Sequence, residues 1–167
     1  MTSLEPEDIE LPAPASADPP VPDPEAAFEE LPVDSPLVGI VMAAKSDLPT
    51  MEKAEKELSD RGIRSEVRVM SVHHDPDVVA EYARNARMRG LRVIIAGASL
   101  GAALPGMVAA HTDLPVIGVP LTSSSSVGGG LDALLAISQM PPGVPVGTVG
   151  VDGARNAAVL AARILGI

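Results

Sequence analysis

From Leu37 onward, short apolar runs alternate with longer stretches of helical periodicity, and this alternation constrains the fold more than any single motif. Leu37 to Met42 is a strand of the kind covered on both faces, with no polar residue to mark a wet side. Leu48 to Arg61 follows as a helix: Pro49 suits its first turn, Asp47 can cap it and Gly62 stops it. Glu66 to Val72 reads as a second strand, buried from Val67 on, and Asp77 to Arg89 as a helix closed by Gly90. Leu91 to Ala96 is a third strand, and Gly106 to Ala110 lies in a short third helix. Val116 to Val119 and Leu131 to Gln139 form the next strand and helix, then Val146 to Val149 and the alanine-rich Ala154 to Leu165. Five strands alternating with five helices predict an α/β domain, a doubly wound parallel sheet with right-handed crossovers. The expected strand order is flavodoxin-like, a three-layer sandwich, and no internal repeat is evident.

Charge divides the chain. Residues 1–36 hold ten Asp or Glu, nine of the 17 prolines and no Lys or Arg. The remaining twelve acids balance the 12 basic residues, so the net charge of -10 belongs to the first segment. Acid, proline and few large apolar groups cannot repay the entropy of ordering, so residues 1–36 are expected to be a disordered tail and 37–167 the folded domain. The balanced domain offers no basic surplus for nucleic acid. No segment is long and apolar enough to span a membrane, and the tail lacks the basic start and apolar stretch of a signal peptide. With no cysteine the chain has no disulfide and no thiolate metal site, which fits the cytoplasm. The domain has one tyrosine, Tyr82, and no Trp, the single Phe28 being in the tail. A base would have to be held by backbone, aliphatic and hydroxyl groups rather than by stacking.

Chemistry concentrates in the loops after the strands, which a parallel sheet gathers at one edge. Two of the three histidines, His73 and His74, sit together in the turn before Pro76. Histidine is the default proton-transfer group near neutrality, and His73 is the expected catalytic residue. Asp75 as N-cap and Pro76 at the first helical position give this turn a structural role as well, but not one that explains two imidazoles. Adjacent histidines point apart and no third ligand is evident, so no metal is expected. Ala43-Ala44-Lys45-Ser46-Asp47 ends in hydroxyl, carboxylate and helix N-terminus, which suits a polyol or an anion, although plain capping by Ser46 or Asp47 explains it equally. Gly97 to Gly106 is small enough for backbone to approach a ligand or for tight helix packing; it lacks the ending of a Walker motif and the setting of a dinucleotide fingerprint. Thr122 to Gly130, with four serines and three glycines, can wrap phosphate, act as a lid or serve as a linker, and its place between strand and helix favours a lid. The proline-rich Gln139 to Val146 reads as a stiff structural turn, and His111 as a surface residue at a helix end.

Together these segments resemble one family, the phosphoribosylaminoimidazole carboxylases, including the N5-carboxyaminoimidazole ribonucleotide mutases of purine biosynthesis. Val38 to Asp47 resembles V-G-I-I-M-G-S-K-S-D; Ser71 to Pro76 resembles S-A-H-R-T-P. Val93 to Met107 is similar to V-I-I-A-G-A-G-G-A-A-H-L-P-G-M, and Gln139 to Thr148 to Q-M-P-x-G-x-P-V-G-T. The resemblance spans nearly all of residues 37–167. It implies a carboxylase, mutase or decarboxylase, usually a homo-octamer with active sites where subunits meet, acting on a small molecule, a nucleotide, with carbon dioxide held in the pocket. It implies no cofactor and no metal. The family histidine that shuttles the ring proton falls on His73, and the acid that binds ribose hydroxyls falls on Asp47. Substrate contacts are expected from Ala44, Ser46, Asp47, His74, Ser99, Leu100, Gly101, Ser123 and Ser124.

Several motif positions differ. Ala44 replaces a phosphate-contacting serine, and His74 replaces an arginine whose planar guanidinium an imidazole does not match. Ala103 replaces a second histidine, Ser99-Leu100 replace two glycines, and the Thr122–Gly130 loop is longer and more polar. These changes cluster where substrate binds and favour carboxyl transfer by His73 on an aminoimidazole ribonucleotide or a related carboxylated heterocycle; alternatives stay open beside it, a different reaction in the same pocket, such as one of a specialised-metabolite pathway, or a non-catalytic or repurposed oligomer that binds a small ligand. The apolar faces of Ala154 to Leu165 predict a homo-oligomer.

Overall fold

The computed structural model describes residues 35–167. The expected disordered tail, apart from its last two residues, lies outside them. Five strands form one all-parallel sheet: β1 (Val38–Met42), β2 (Ser65–Val69), β3 (Val93–Ser99), β4 (Val116–Leu121) and β5 (Gly147–Thr148), in the order β2-β1-β3-β4-β5. The helices are α1 (Leu48–Asp60), α2 (Pro76–Arg84), α3 (Ala103–Ala110), α4 (Leu131–Ser138) and α5 (Ala154–Leu165). Helices α1 and α5 cover one face of the sheet, and α2, α3 and α4 the other. The sandwich is three-layered and doubly wound, with the flavodoxin-like order expected.

The first core joins Val38, Ile40 and Met42 to Met51, Ala54 and Leu58 of α1 and to five buried alanines of α5, Ala154, Ala157, Ala158, Ala161 and Ala162. Alanine at these spacings leaves α5 a flat face that α1 and the sheet can approach closely. The second core packs Val41, Ile94 and Ala96 against Val79 and Ala83 of α2, Leu104 and Val108 of α3, and Ala133 and Ile137 of α4. Each fully buried Leu or Ile contributes roughly 1.5–3 kcal/mol, and with one phenolic ring among the described residues the fold rests on aliphatic packing. Gly97 shows how tight it is: a Cβ there would lie 2.6 Å from Met51 Sδ. Outside this core, Glu57 of α1 accepts from Arg61 Nε at 2.9 Å and from Arg155 Nε of α5 at 2.7 Å, tying the two helices.

The ends of several elements differ from expectation. The second strand spans Ser65–Val69, not Glu66–Val72, and it is an edge strand whose last two residues are exposed. It pairs only with β1, so it has one covered side where a buried strand has two. The second helix stops at Arg84; residues 87–89 tighten into a 3-10 turn before left-handed Gly90, which ends the segment as expected. Strand β3 runs on to Ser99, and α3 begins at Ala103, three residues before Gly106. Pro105 is therefore inside the first turn, where its missing N–H costs no helical bond. Strand β4 runs past Val119 through Pro120 to Leu121. Proline is tolerated there because β5 pairs only with Ile117 and Gly118. Strand β5 is two residues rather than four.

Candidate functional site

The strand order reverses direction at β1, which has β2 on one side and β3 on the other. In open parallel sheets the crevice beyond the strand C-termini at such a switch point is where ligands bind. Four loops line this edge in spatial order: Met70–Asp75 after β2, Ala43–Asp47 after β1, Leu100–Ala102 after β3, and Thr122–Gly130 after β4. Every residue expected to touch substrate lies on these loops or at the strand end leading into one. Backbone hydrogen bonds hold the loop bases in line: Met70 N–H donates to Met42 O at 2.9 Å and Ala43 N–H to Gly97 O at 3.2 Å.

The loop after β1 closes on its own carboxylate. Lys45–Asp47 forms a 3-10 turn, Asp47 N–H donating to Ala44 O at 3.1 Å. In return Asp47 Oδ2 accepts from Ala44 N–H at 3.1 Å. Asp47 is 6% exposed, while Ala44, Lys45 and Ser46 are exposed. Burial pushes the Asp47 carboxyl above the usual aspartate value, and the Ala44 amide offsets part of that rise. The expected cap is corrected: Asp47 occupies the N-cap position of α1 without a side-chain cap bond, because its carboxylate is turned back to Ala44. Ser46 faces solvent, with its hydroxyl available beside the buried acid.

The turn after β2 is built differently. Asp75 N–H donates to Ser71 O at 2.9 Å, and His74 N–H to the same oxygen at 3.3 Å. His73, His74 and Asp75 are exposed. Pro76 takes the first helical position as expected, but Asp75 at the N-cap makes no side-chain cap bond; its backbone, at φ -135 and ψ 67, supplies the turn instead. Both histidines therefore stand exposed on the turn that follows β2.

The loop after β3 carries strain. Leu100 has φ 57 and Ala102 φ 40, and with Asp152 at φ 54 these are the non-glycine residues in the left-handed region among those described. Such a conformation costs roughly 1–2 kcal/mol per residue, and outliers of this kind gather at functional sites. All three lie at the C-terminal edge. Leu100 occupies a position where the motif it resembles has glycine. Ala102 N–H donates to Ser99 O at 3.0 Å, closing the turn that presents Ser99, Leu100 and Gly101 to the crevice.

In the loop after β4, Ser123 N–H donates to Ser126 Oγ at 2.8 Å and Ser125 N–H to Ser123 Oγ at 3.3 Å. Ser123 and Ser124 are exposed, as a substrate-binding role requires. Gly128, Gly129 and Gly130 all have positive φ. The shape of this loop depends on two residues sequence reasoning passed over: Asp152, whose carboxylate grips Thr122 at its start, and Asp132, whose Oδ2 accepts from Val127 N–H inside it at 3.1 Å. The Asp152-Gly153 pair was the available signal, since such dipeptides mark turns.

Other features lie away from this edge. An open hollow of about 610 Å³ on the outer face of α1 is lined by Glu52, Lys53, Lys56 and Asp60 among others. Lys56 and Asp60 pair with each other across it at 2.8 Å, and it reads as a solvated helix face. His111 caps the end of α3, half-buried, with Nδ1 2.9 Å from Met107 O. Among the described residues no group of three or more His, Asp or Glu is placed to hold a metal ion, and no helix is long and apolar enough to cross a membrane.

Residues 37–167 match the family model described as AIR carboxylase. The chain is 55% identical over 135 residues to an N5-carboxyaminoimidazole ribonucleotide mutase of Pyrococcus abyssi, covering 81% of this chain and 76% of that protein. It is 54% identical over 132 residues to the Thermotoga maritima protein of the same name, covering 79% and 76%. Among solved structures, that of Treponema denticola PurE superposes with a TM-score of 0.69 at 32% identity, covering 78% of this chain and 80% of that one.

Proposed function

Because the chain belongs to the AIR carboxylase family, we propose that it is a carboxyl-transfer enzyme that interconverts N5-carboxyaminoimidazole ribonucleotide and its C-carboxylated isomer. The observation that carries this reading is that the motif-bearing loops after β1, β2 and β3 fall on one edge of the sheet in a chain more than half identical to such mutases. The N–carboxyl bond breaks, with carbon dioxide held in the pocket and the amine taking a proton. The ring carbon then attacks carbon dioxide, and the proton it loses is recovered. His73 delivers the first proton and regains the second, which an exposed imidazole between the open rim and the crevice can do without a metal.

Asp47 accepts from the ribose hydroxyls with the oxygen not engaged by Ala44 N–H. Ser46, Ser99, Ser123 and Ser124 supply hydroxyls, Leu100 and Gly101 backbone amides, and Ala44 and His74 complete the phosphate end. Water must be kept from the bound carbon dioxide, and the rim of a single chain is open. A homo-octamer whose neighbouring subunits close the rim meets that need. Val127 within the serine-rich loop, Leu131 and Leu135 one turn apart on α4, and Leu160 and Ile164 on α5 are exposed apolar surface available for it.

Ala103 and His74 at positions where the motif carries histidine and arginine favour a second reading, a repurposed pocket that binds another small ligand or runs a different reaction. The test is to supply purified protein with each isomer in turn, then follow interconversion and carbon dioxide release. Interconversion in both directions at a rate well above solution is expected. Silence from a folded oligomer overturns the mutase reading and favours the second.

A further inference from the structure

The turn after β5 does work that the catalytic motifs do not describe. Asp152 sits there in the left-handed region, at φ 54. Its carboxylate takes both donors of Thr122: Oδ1 accepts the backbone N–H at 3.0 Å and Oδ2 the side-chain hydroxyl at 2.7 Å. Its own N–H donates to Pro120 O at 2.8 Å, and Gly153 N–H closes the turn onto Gly150 O at 2.9 Å. The turn is thus latched to the last residues of β4 and to the first residue of the serine-rich loop. The far end of that loop meets the same turn: a Cβ on Gly130 would lie 2.8 Å from Val151 Cγ1 and 3.2 Å from Thr122 Cγ2. Both ends of the loop therefore rest on residues 150–153, while Asp132 Oδ2 holds Val127 N–H inside it.

Strand β5 pairs through only two residues, so the sheet alone gives this turn little to hold. A carboxylate accepting two donors is a charge-assisted grip, stronger than the neutral contacts within the serines. We propose that Asp152 is a positioning residue for the reaction: through Thr122 it fixes the serine-rich loop in the shape that meets substrate. The inference rests on the reading that this loop contacts substrate. It assigns Asp152 no contact with the reacting atoms. The carboxylate and Thr122 hydroxyl set loop geometry, so their loss weakens substrate binding more than it slows the chemical step.

The experiment compares Asp152→Gly, which removes the carboxylate and suits the left-handed backbone, with Thr122→Val, which removes only the hydroxyl, and Thr122→Ser, which restores it. Two readouts are taken on the full oligomeric protein: amide hydrogen exchange across residues 122–130, and kcat and KM with N5-carboxyaminoimidazole ribonucleotide. Asp152→Gly is expected to speed exchange in the loop and raise KM by about tenfold with kcat within about threefold, Thr122→Val to do the same less strongly, and Thr122→Ser to match the wild type. Unchanged loop exchange in both loss variants overturns the proposal. So does a fall in kcat at constant KM, or faster exchange spread through the whole domain. If the wild type does not turn over this substrate, the mutase reading fails, and hydrogen exchange confined to residues 122–130 decides the clamp by itself.

Discussion

The loop after β1 and the turn after β2 sit side by side at the sheet edge, yet one closes around a buried carboxylate and the other holds two imidazoles out in solvent. Asp47 has a fixed partner, the Ala44 amide, and a fixed place between α1 and the crevice. His73 stands on a turn whose contacts are backbone ones. The difference suits the two kinds of work proposed for these residues. A group that recognises hydroxyls must be set in place before the ligand arrives, because ordering it afterwards would be subtracted from binding. A group that gives up and regains a proton needs access to both atoms it serves, and a rigid partner would compete for its nitrogen.

The sharpest way to break this comparison is to remove the imidazole. His73→Asn is expected to cut interconversion by about a hundredfold or more while melting temperature and assembly stay at wild-type values. Steady-state rates with calorimetry check it, and a variant of normal rate would take the proton shuttle away from His73. Asp47→Ala comes next, and should hit both properties. It leaves the Ala44 amide without its acceptor, so it should lower stability by about 1–2 kcal/mol and raise KM; denaturant unfolding and kinetics measure the two together. If stability falls and KM does not, Asp47 is a structural acid only.

Asp47→Asn separates charge from shape. Burial raises the folded carboxyl above its ordinary value. Between those two values the native chain keeps a proton that the unfolded chain has released. The Asp47 contribution to stability therefore falls as pH climbs through that interval. The asparagine variant lacks this slope, and its stability against pH above the ordinary aspartate value should be flatter than the wild type's by that component. A parallel pair of curves would mean the carboxyl is not held in a poorly solvated place. The smallest effect is expected at Leu100→Gly. Relief of left-handed strain and the added freedom of glycine in the unfolded chain oppose each other, so unfolding free energy should move by no more than about 1 kcal/mol. A larger loss would show that the half-exposed leucine side chain packs into the edge.

Much of the architecture was legible in the chain. The apolar runs from Leu37, Leu91 and Val116 located the three central strands, because a strand buried on both faces leaves an unbroken apolar signature. Helix α5 was bounded correctly, its buried alanines repeating at three and four residues. Strand β2 was overextended because Val67, Val69 and Val72 look alike in sequence, although an edge position leaves Val69 43% exposed and ends the pairing there. At the candidate site, the loops that reach this edge could be located from composition and motif. The direction in which Asp47 turns could not, since a cap and a back-turned carboxylate use the same residue at the same place.

The sequence by itself determined the alternation of strand and helix, the parallel sheet that follows from it, and the gathering of the polar loops at one edge. These depend on periodicities of two and 3.6 residues, which local sequence carries in full. Only the tertiary structure decided which strand is left at the edge, that Asp47 is buried, and that Asp152 grips Thr122 across 30 residues of chain. Each of these depends on groups brought together by packing: the Asp152-Gly153 pair marks a turn in sequence, but not the residue 30 positions away that the turn holds.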